Sequence, residues 1–198
     1  MPAHLSLAVA SILALIALAT SACTGAEGGA EGDGPLVVAT TSQIAALVRE
    51  VAGDDVAVQT LLAPGVDPHD FEPSPRDIAR VASAAVVLRN GLGLDETLDD
   101  AIEGSGAAEV VTVTDGIKPR PASRDHDDED EHEDEHEDDD HDHGDVDPHV
   151  WHDPANVQVM VTNIANALAA AFPEQAATFE ERAAAYRAHL DEVDAEIR

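Results

Sequence analysis

Four short apolar runs, alternating with segments of helical periodicity, restrict the fold of this chain more than any other feature. The runs are Leu36-Val37-Val38-Ala39-Thr40-Thr41, Val56 to Leu62, Ala85-Val86-Val87-Leu88-Arg89-Asn90 and Glu109-Val110-Val111-Thr112-Val113-Thr114. Short runs rich in β-branched residues read as strands; the first is of the buried type, and the second alternates. After the first, Ile44, Leu47, Val48 and Val51 share one helical face, and Gly53 suits the C′ position. Pro75 to about Ser83 predicts a second helix; Leu94, Leu98 and Ile102 mark a third that ends near Gly104. Strands that alternate with helices pair in parallel, with helices covering both faces. The expected class is α/β: a lobe over 35–172 with a four-stranded parallel sheet flanked by helices.

Asp153 and Pro154 read as N-cap and N1 of a helix running to about Ala171, with Val157, Val161, Ile164 and Leu168 on one face. Phe172-Pro173 breaks it. A last helix starts near Glu174. Its apolar positions Phe179, Ala183, Tyr186, Leu190, Val193 and Ile197 form a long seam that is still running at Arg198. Little of the chain remains to cover that seam. Residues 173–198 are therefore expected to begin a long linking helix, in a chain that stops within a larger architecture.

The net charge of −31 is unevenly spread, with about half of it between Asp125 and Asp147. That run is almost entirely Asp, Glu and His, with histidines at 126, 132, 136, 141 and 143. It has nothing to bury, so 122–146 is expected to be a disordered loop. Lys118 is the only lysine and no basic cluster occurs, so nucleic acid is not an expected partner.

At the N-terminus, Leu5 to Ala19 has the length of a signal-peptide apolar region and is short for a membrane span. Ala19-Thr20-Ser21-Ala22 and then Cys23, the only cysteine, resemble a bacterial lipobox. That resemblance implies a leader over 1–22, removed before lipidation of Cys23. The alternative is an ordinary leader cleaved near Ala22, with Cys23 a free thiol. Thr24 to Gly34 is Gly/Ala/Glu-rich and reads, with Cys23, as a flexible tether over 23–34.

Two histidines stand in matching contexts. His69 lies in Asp67-Pro68-His69 and His149 in Asp147-Pro148-His149, each shortly before a proline-started helix. Prolines 64, 68, 73 and 75 stiffen the first loop, and Ser74, Pro75 and Asp77 read as N-cap, N1 and N3. In an open parallel sheet, loops beyond the carboxyl ends of the strands converge on ligands. Two braced imidazoles there could ligate a divalent metal, and Asp67, Asp70, Glu72, Asp147 or Asp153 could hold the second ring nitrogen. The competing reading is a pair of capped turns with surface histidines. His152 points away from His149 in an extended segment and is not favoured as a ligand; His189 reads as a surface residue and His4 belongs to the leader.

Pro64-Gly65-Val66-Asp67-Pro68-His69-Asp70-Phe71-Glu72-Pro73-Ser74 and Asp147-Pro148-His149-Val150-Trp151-His152-Asp153-Pro154 resemble the two signature loops of metal-specific solute-binding proteins. These serve zinc and manganese ABC importers, and the resemblance runs from about Pro35 to Arg198. It implies that His69 and His149 bind the metal. It also implies that a third histidine and a carboxylate come from a second α/β lobe, which is absent from this chain and is joined in the family by a long helix similar to the segment from Glu174. Position 152 is His where the family more often has an apolar or hydroxyl residue. Similar His-rich loops occur in the zinc branch, so His126, His132, His136, His141 and His143 are expected to be weak auxiliary zinc sites. A solvated acidic linker is the plainer reading of the same run.

The resemblance therefore implies a lipid-anchored monomeric receptor on the outer face of the cytoplasmic membrane. It would capture Zn2+ (Mn2+ is the alternative) and deliver it to an ABC permease, with no catalytic residues. A surface metal buffer and a zinc hydrolase are the rivals. The hydrolase is disfavoured: Glu72 is the nearest candidate base, and no His-Glu-x-x-His pattern occurs.

Overall fold

A computed structural model describes residues 35–68, 71–107, 109–122 and 146–197. Its sheet has β1 (Leu36–Ala39), β2 (Ala57–Thr60), β3 (Val86–Arg89) and β4 (Val110–Thr112). All are parallel, in the order β2-β1-β3-β4. The strands are the apolar runs of the sequence, trimmed at their ends. Val37, Val38, Ala39, Val86, Val87 and Leu88 are fully buried, as strands covered on both faces must be. Each of these valine and leucine side chains contributes about 1.5–3 kcal/mol on burial.

Alternate residues serve opposite faces. Val37, Ala39, Val86 and Leu88 join one core with α1 (Ser42–Ala52), α4 (Pro154–Ala171) and α5 (Ala176–Ile197). Val38 and Val87 join another with Val81 of α2 (Pro75–Ser83) and Ile102 of α3 (Asp99–Ser105). Among the described residues no helix is long and apolar enough to cross a membrane.

The α2 start follows its sequence signature. Ser74 Oγ accepts from Asp77 N at 3.3 Å, and the Ser74 N–H donates to Asp77 Oδ2 at 3.0 Å. This is a reciprocal capping box, with Pro75 in the first turn. Burial alone would raise the Asp77 carboxyl, but hydrogen bonds from the Ser74 hydroxyl and backbone and from Arg80 outweigh it and hold the group below its ordinary value. A folded-state pKa below the unfolded one stabilises at pH above the ordinary carboxyl range. That contribution is lost as pH falls through the depressed value. Ser74→Ala is expected to cost about 1 kcal/mol by urea unfolding at neutral pH, and less once Asp77 is protonated.

Two expectations need correction. The helix marked by Leu94, Leu98 and Ile102 does not begin at Leu94. A turn at 92–95 and a 3-10 turn at Glu96–Leu98 come first, and α3 starts at Asp99. The cause is Asp95, whose side chain takes the backbone N–H groups of Asn90 and Gly91 and so competes with helix formation. The seam of α5 also finds a partner within the chain. Phe179, Ala183 and Leu190 are buried against α4 and α1, whereas Ile197 is 70% exposed. Arg182 reinforces the contact: its guanidinium donates to Ala52 O at 2.6 Å and Asp55 Oδ2 at 2.7 Å, closing the end of α1.

Candidate metal centre

A cleft of about 550 Å³ opens beyond the carboxyl ends of the strands. Thr41 and Ser42 line it after β1, Gly65 to Pro68 after β2, Leu94 after β3, and His149 and Trp151 ahead of α4. This is the crevice where the strand order reverses: β2 lies on one side of β1 and β3 on the other. Both Asp-Pro-His loops thus reach one cleft, the first through Asp67 and Pro68, the second through His149.

His149 is oriented by the residue two before it. Asp147 Oδ1 accepts from the His149 backbone N–H at 2.9 Å and lies 2.8 Å from the ring Nδ1. These bonds, the backbone one first, hold the Asp147 carboxyl below the usual range, and Arg120 adds a smaller pull. In the tautomer that gives Asp147 a ring proton from Nδ1, the lone pair sits on Nε2. A carboxylate behind one ring nitrogen is the arrangement that presents the other to a metal. The imidazole is about half exposed. Trp151 stands edge-on to it with centroids 5.3 Å apart, and the His152 ring lies 5.6 Å from that of Trp151 on a tilted plane. The turn Val150–His152 that carries these rings ends at Asp153, which caps α4 through Ala155 N at 2.9 Å.

His69 and Asp70 lie outside the described residues, as do Cys23 and the histidines at 126, 132, 136, 141 and 143. Among the described residues, no group of three or more His, Cys, Asp and Glu side chains is placed to hold a metal. His152 lines a second cleft with His149, Lys118, Arg120 and Asp194. The described residues on either side of the acidic histidine run meet. Pro121 bridges Val146 in antiparallel fashion, and the Asp147 N–H donates to Arg120 O at 2.8 Å. Its neck therefore sits beside His149.

The residues that sequence reasoning missed are Asn90, Asp95 and Thr97. Asp95 is fully buried, with Thr40, Asn90 and Gly91 donating to it. Gly91 has φ +76°, and a Cβ there would lie 2.6 Å from Thr112 Cγ2, so the tight approach admits only glycine. An acidic residue set between Leu94 and Leu98, just after Asn90-Gly91, is the signal that could have exposed this loop.

The family model described as zinc-uptake complex component A, periplasmic, matches residues 37–198. The chain belongs to this family of metal-binding ABC transporter substrate-binding proteins. The iron-binding protein YfeA of Yersinia pestis is 30% identical over 82% of this chain and 47% of its own length. The manganese-binding lipoprotein MntA of Halalkalibacterium halodurans is 29% identical over 92% of this chain and 56% of its own. The Mn-bound periplasmic metal binding protein of Candidatus Liberibacter asiaticus superposes with a TM-score of 0.64 at 29% identity, covering 78% of this chain and 52% of that one. The fold is that of these periplasmic proteins, and the chain spans about half the length of the curated relatives it matches.

Proposed function

We propose that this chain carries one lobe of an extracytoplasmic receptor that captures Zn2+ and passes it to an ABC permease. His69 and His149 would supply two imidazole ligands. One observation carries the reading: the Asp147-held ring of His149 faces the same cleft as the loop that leads into His69. Relatives named for iron and manganese binding support metal capture in general. Zinc is favoured here because imidazole suits it better than manganese, which prefers oxygen ligands. Manganese or iron remains the alternative cargo.

The run containing His126, His132, His136, His141 and His143 would act as a weak collector. Its carboxylates raise the local cation concentration, and its neck beside His149 shortens the path to the cleft. Cys23 would carry the lipid anchor on the outer face of the cytoplasmic membrane, as in relatives named lipoproteins. The protein would work as a monomer without catalysing a reaction.

Deleting 125–145 tests receptor against buffer. The receptor reading predicts that, in the protein with both lobes, equilibrium dialysis loses the weak zinc and keeps one tight ion. A buffer would lose nearly all of it, and that result would refute the receptor.

A further inference from the structure

Both Asp-Pro-His loops are gripped at the same point, the carbonyl oxygen of the proline before the histidine. The Thr97 hydroxyl donates to Pro68 O at 2.8 Å. The Asn90 side-chain amide donates to Pro148 O at 3.4 Å and to Gly91 O at 2.9 Å. The two donors come from one short segment, 90–97, between β3 and α3.

That segment is shaped by a single side chain. Asp95 Oδ2 accepts from Asn90 N at 2.7 Å and from the Thr40 hydroxyl at 2.7 Å, which also ties it to the end of β1. Asp95 Oδ1 accepts from Gly91 N at 2.9 Å and lies 3.3 Å from the Arg89 guanidinium. Arg89 is shared with Asp99 at 2.6 Å, at the start of α3. A carboxylate with no exposure is costly unless its oxygens are satisfied, and here both have donors. The segment runs through left-handed backbone at Gly91, Leu92 and Gly93, with φ of 76°, 58° and 82°. Leu92 is strained there, and the Asp95 hydrogen bonds hold the turn in place.

We propose that Asp95 is a positioning residue for both candidate metal ligands. By fixing 90–97 it sets Asn90 and Thr97, and through them the backbone directly ahead of His149 and His69. One carboxylate thus sets the two proline carbonyls that precede the candidate ligands, on loops about 80 residues apart in sequence. Asp95 touches no metal in this scheme. The inference rests on the metal-capture reading above.

The test uses the protein with both lobes, zinc alone as the probe, Trp151 emission as the readout, and thermal unfolding of the metal-free protein alongside. Asp95→Asn is expected to weaken the tight zinc phase about 10- to 100-fold. Because Asp95 is buried, that variant also lowers stability, so Thr97→Val decides the matter: Thr97 is exposed and, among the described residues, its hydroxyl bonds to the loop at Pro68 O. Thr97→Val is expected to weaken zinc about tenfold at an unchanged unfolding midpoint, and Thr97→Ser, which keeps the hydroxyl, to bind like the parent. If Thr97→Val binds like the parent, or if Thr97→Ser fails to restore binding, the proposal is overturned. His149→Ala separates the two levels. Loss of zinc in that variant with parental binding in Thr97→Val rejects the positioning role alone, whereas parental binding in His149→Ala rejects the metal reading itself.

Discussion

His149→Ala is expected to abolish the tight phase of zinc binding while leaving the fold intact. The ring is about half exposed and pairs with Asp147 on the same loop; a side chain so exposed opens no cavity in the core when removed. Stability should stay within about 0.5 kcal/mol of the parent. The loss of affinity should exceed the roughly 10- to 100-fold that follows when only the partner behind a ligand is removed. Trp151, with its ring 5.3 Å from that of His149, reports the event directly through its emission. It is the only tryptophan, so no other fluorophore of its kind contributes. A variant that titrates like the parent would remove His149 from the site.

The second large effect falls on stability. Phe179→Ala is expected to lower the free energy of unfolding by about 3–5 kcal/mol in urea. Phe179 is fully buried and meets Phe172 edge-on, with centroids 6.3 Å apart, where α5 turns back onto α4. Truncation leaves a cavity among α1, α4 and α5 that the parallel sheet beneath cannot collapse to fill. Ile197→Ala, on the exposed end of the same seam, should stay within about 0.5 kcal/mol. A loss below 1 kcal/mol at Phe179 would mean that α5 adds little to the folded lobe.

Much of this architecture is written locally. The strands are legible because residues such as Val37, Val38 and Ala39 are all apolar, as burial on both faces demands. The α2 start is legible because Ser74, Pro75 and Asp77 each have one good role at a helix N-terminus. The failures are equally physical. Leu94, Leu98 and Ile102 keep helical spacing, yet Asp95 between them spends its carboxylate on backbone N–H groups and makes a loop. The cover for α5 was missed because α4 was credited with one apolar face. Met160, Ala165 and Ala167 are buried as well, so α4 packs on the sheet side and on α5 together.

For the site, His149 and its Asp147 partner were open to a reader of the motif, since a short Asp-x-His loop lets the carboxylate reach Nδ1. The grip on Pro68 and Pro148 was not. It depends on carbonyl groups and on contacts across 29 and 58 residues, which no local pattern encodes.

The central claim is that the first zinc ion goes to His69 and His149 rather than to the acidic run. Nitrogen-15 NMR of the imidazole rings, recorded on the full chain with one equivalent of zinc, tests it most directly. The Nε2 resonances of His69 and His149 are expected to shift first and together, while those of His126, His132, His136, His141 and His143 move only as more zinc is added. A first equivalent that perturbs the run and leaves His69 and His149 unchanged would contradict it.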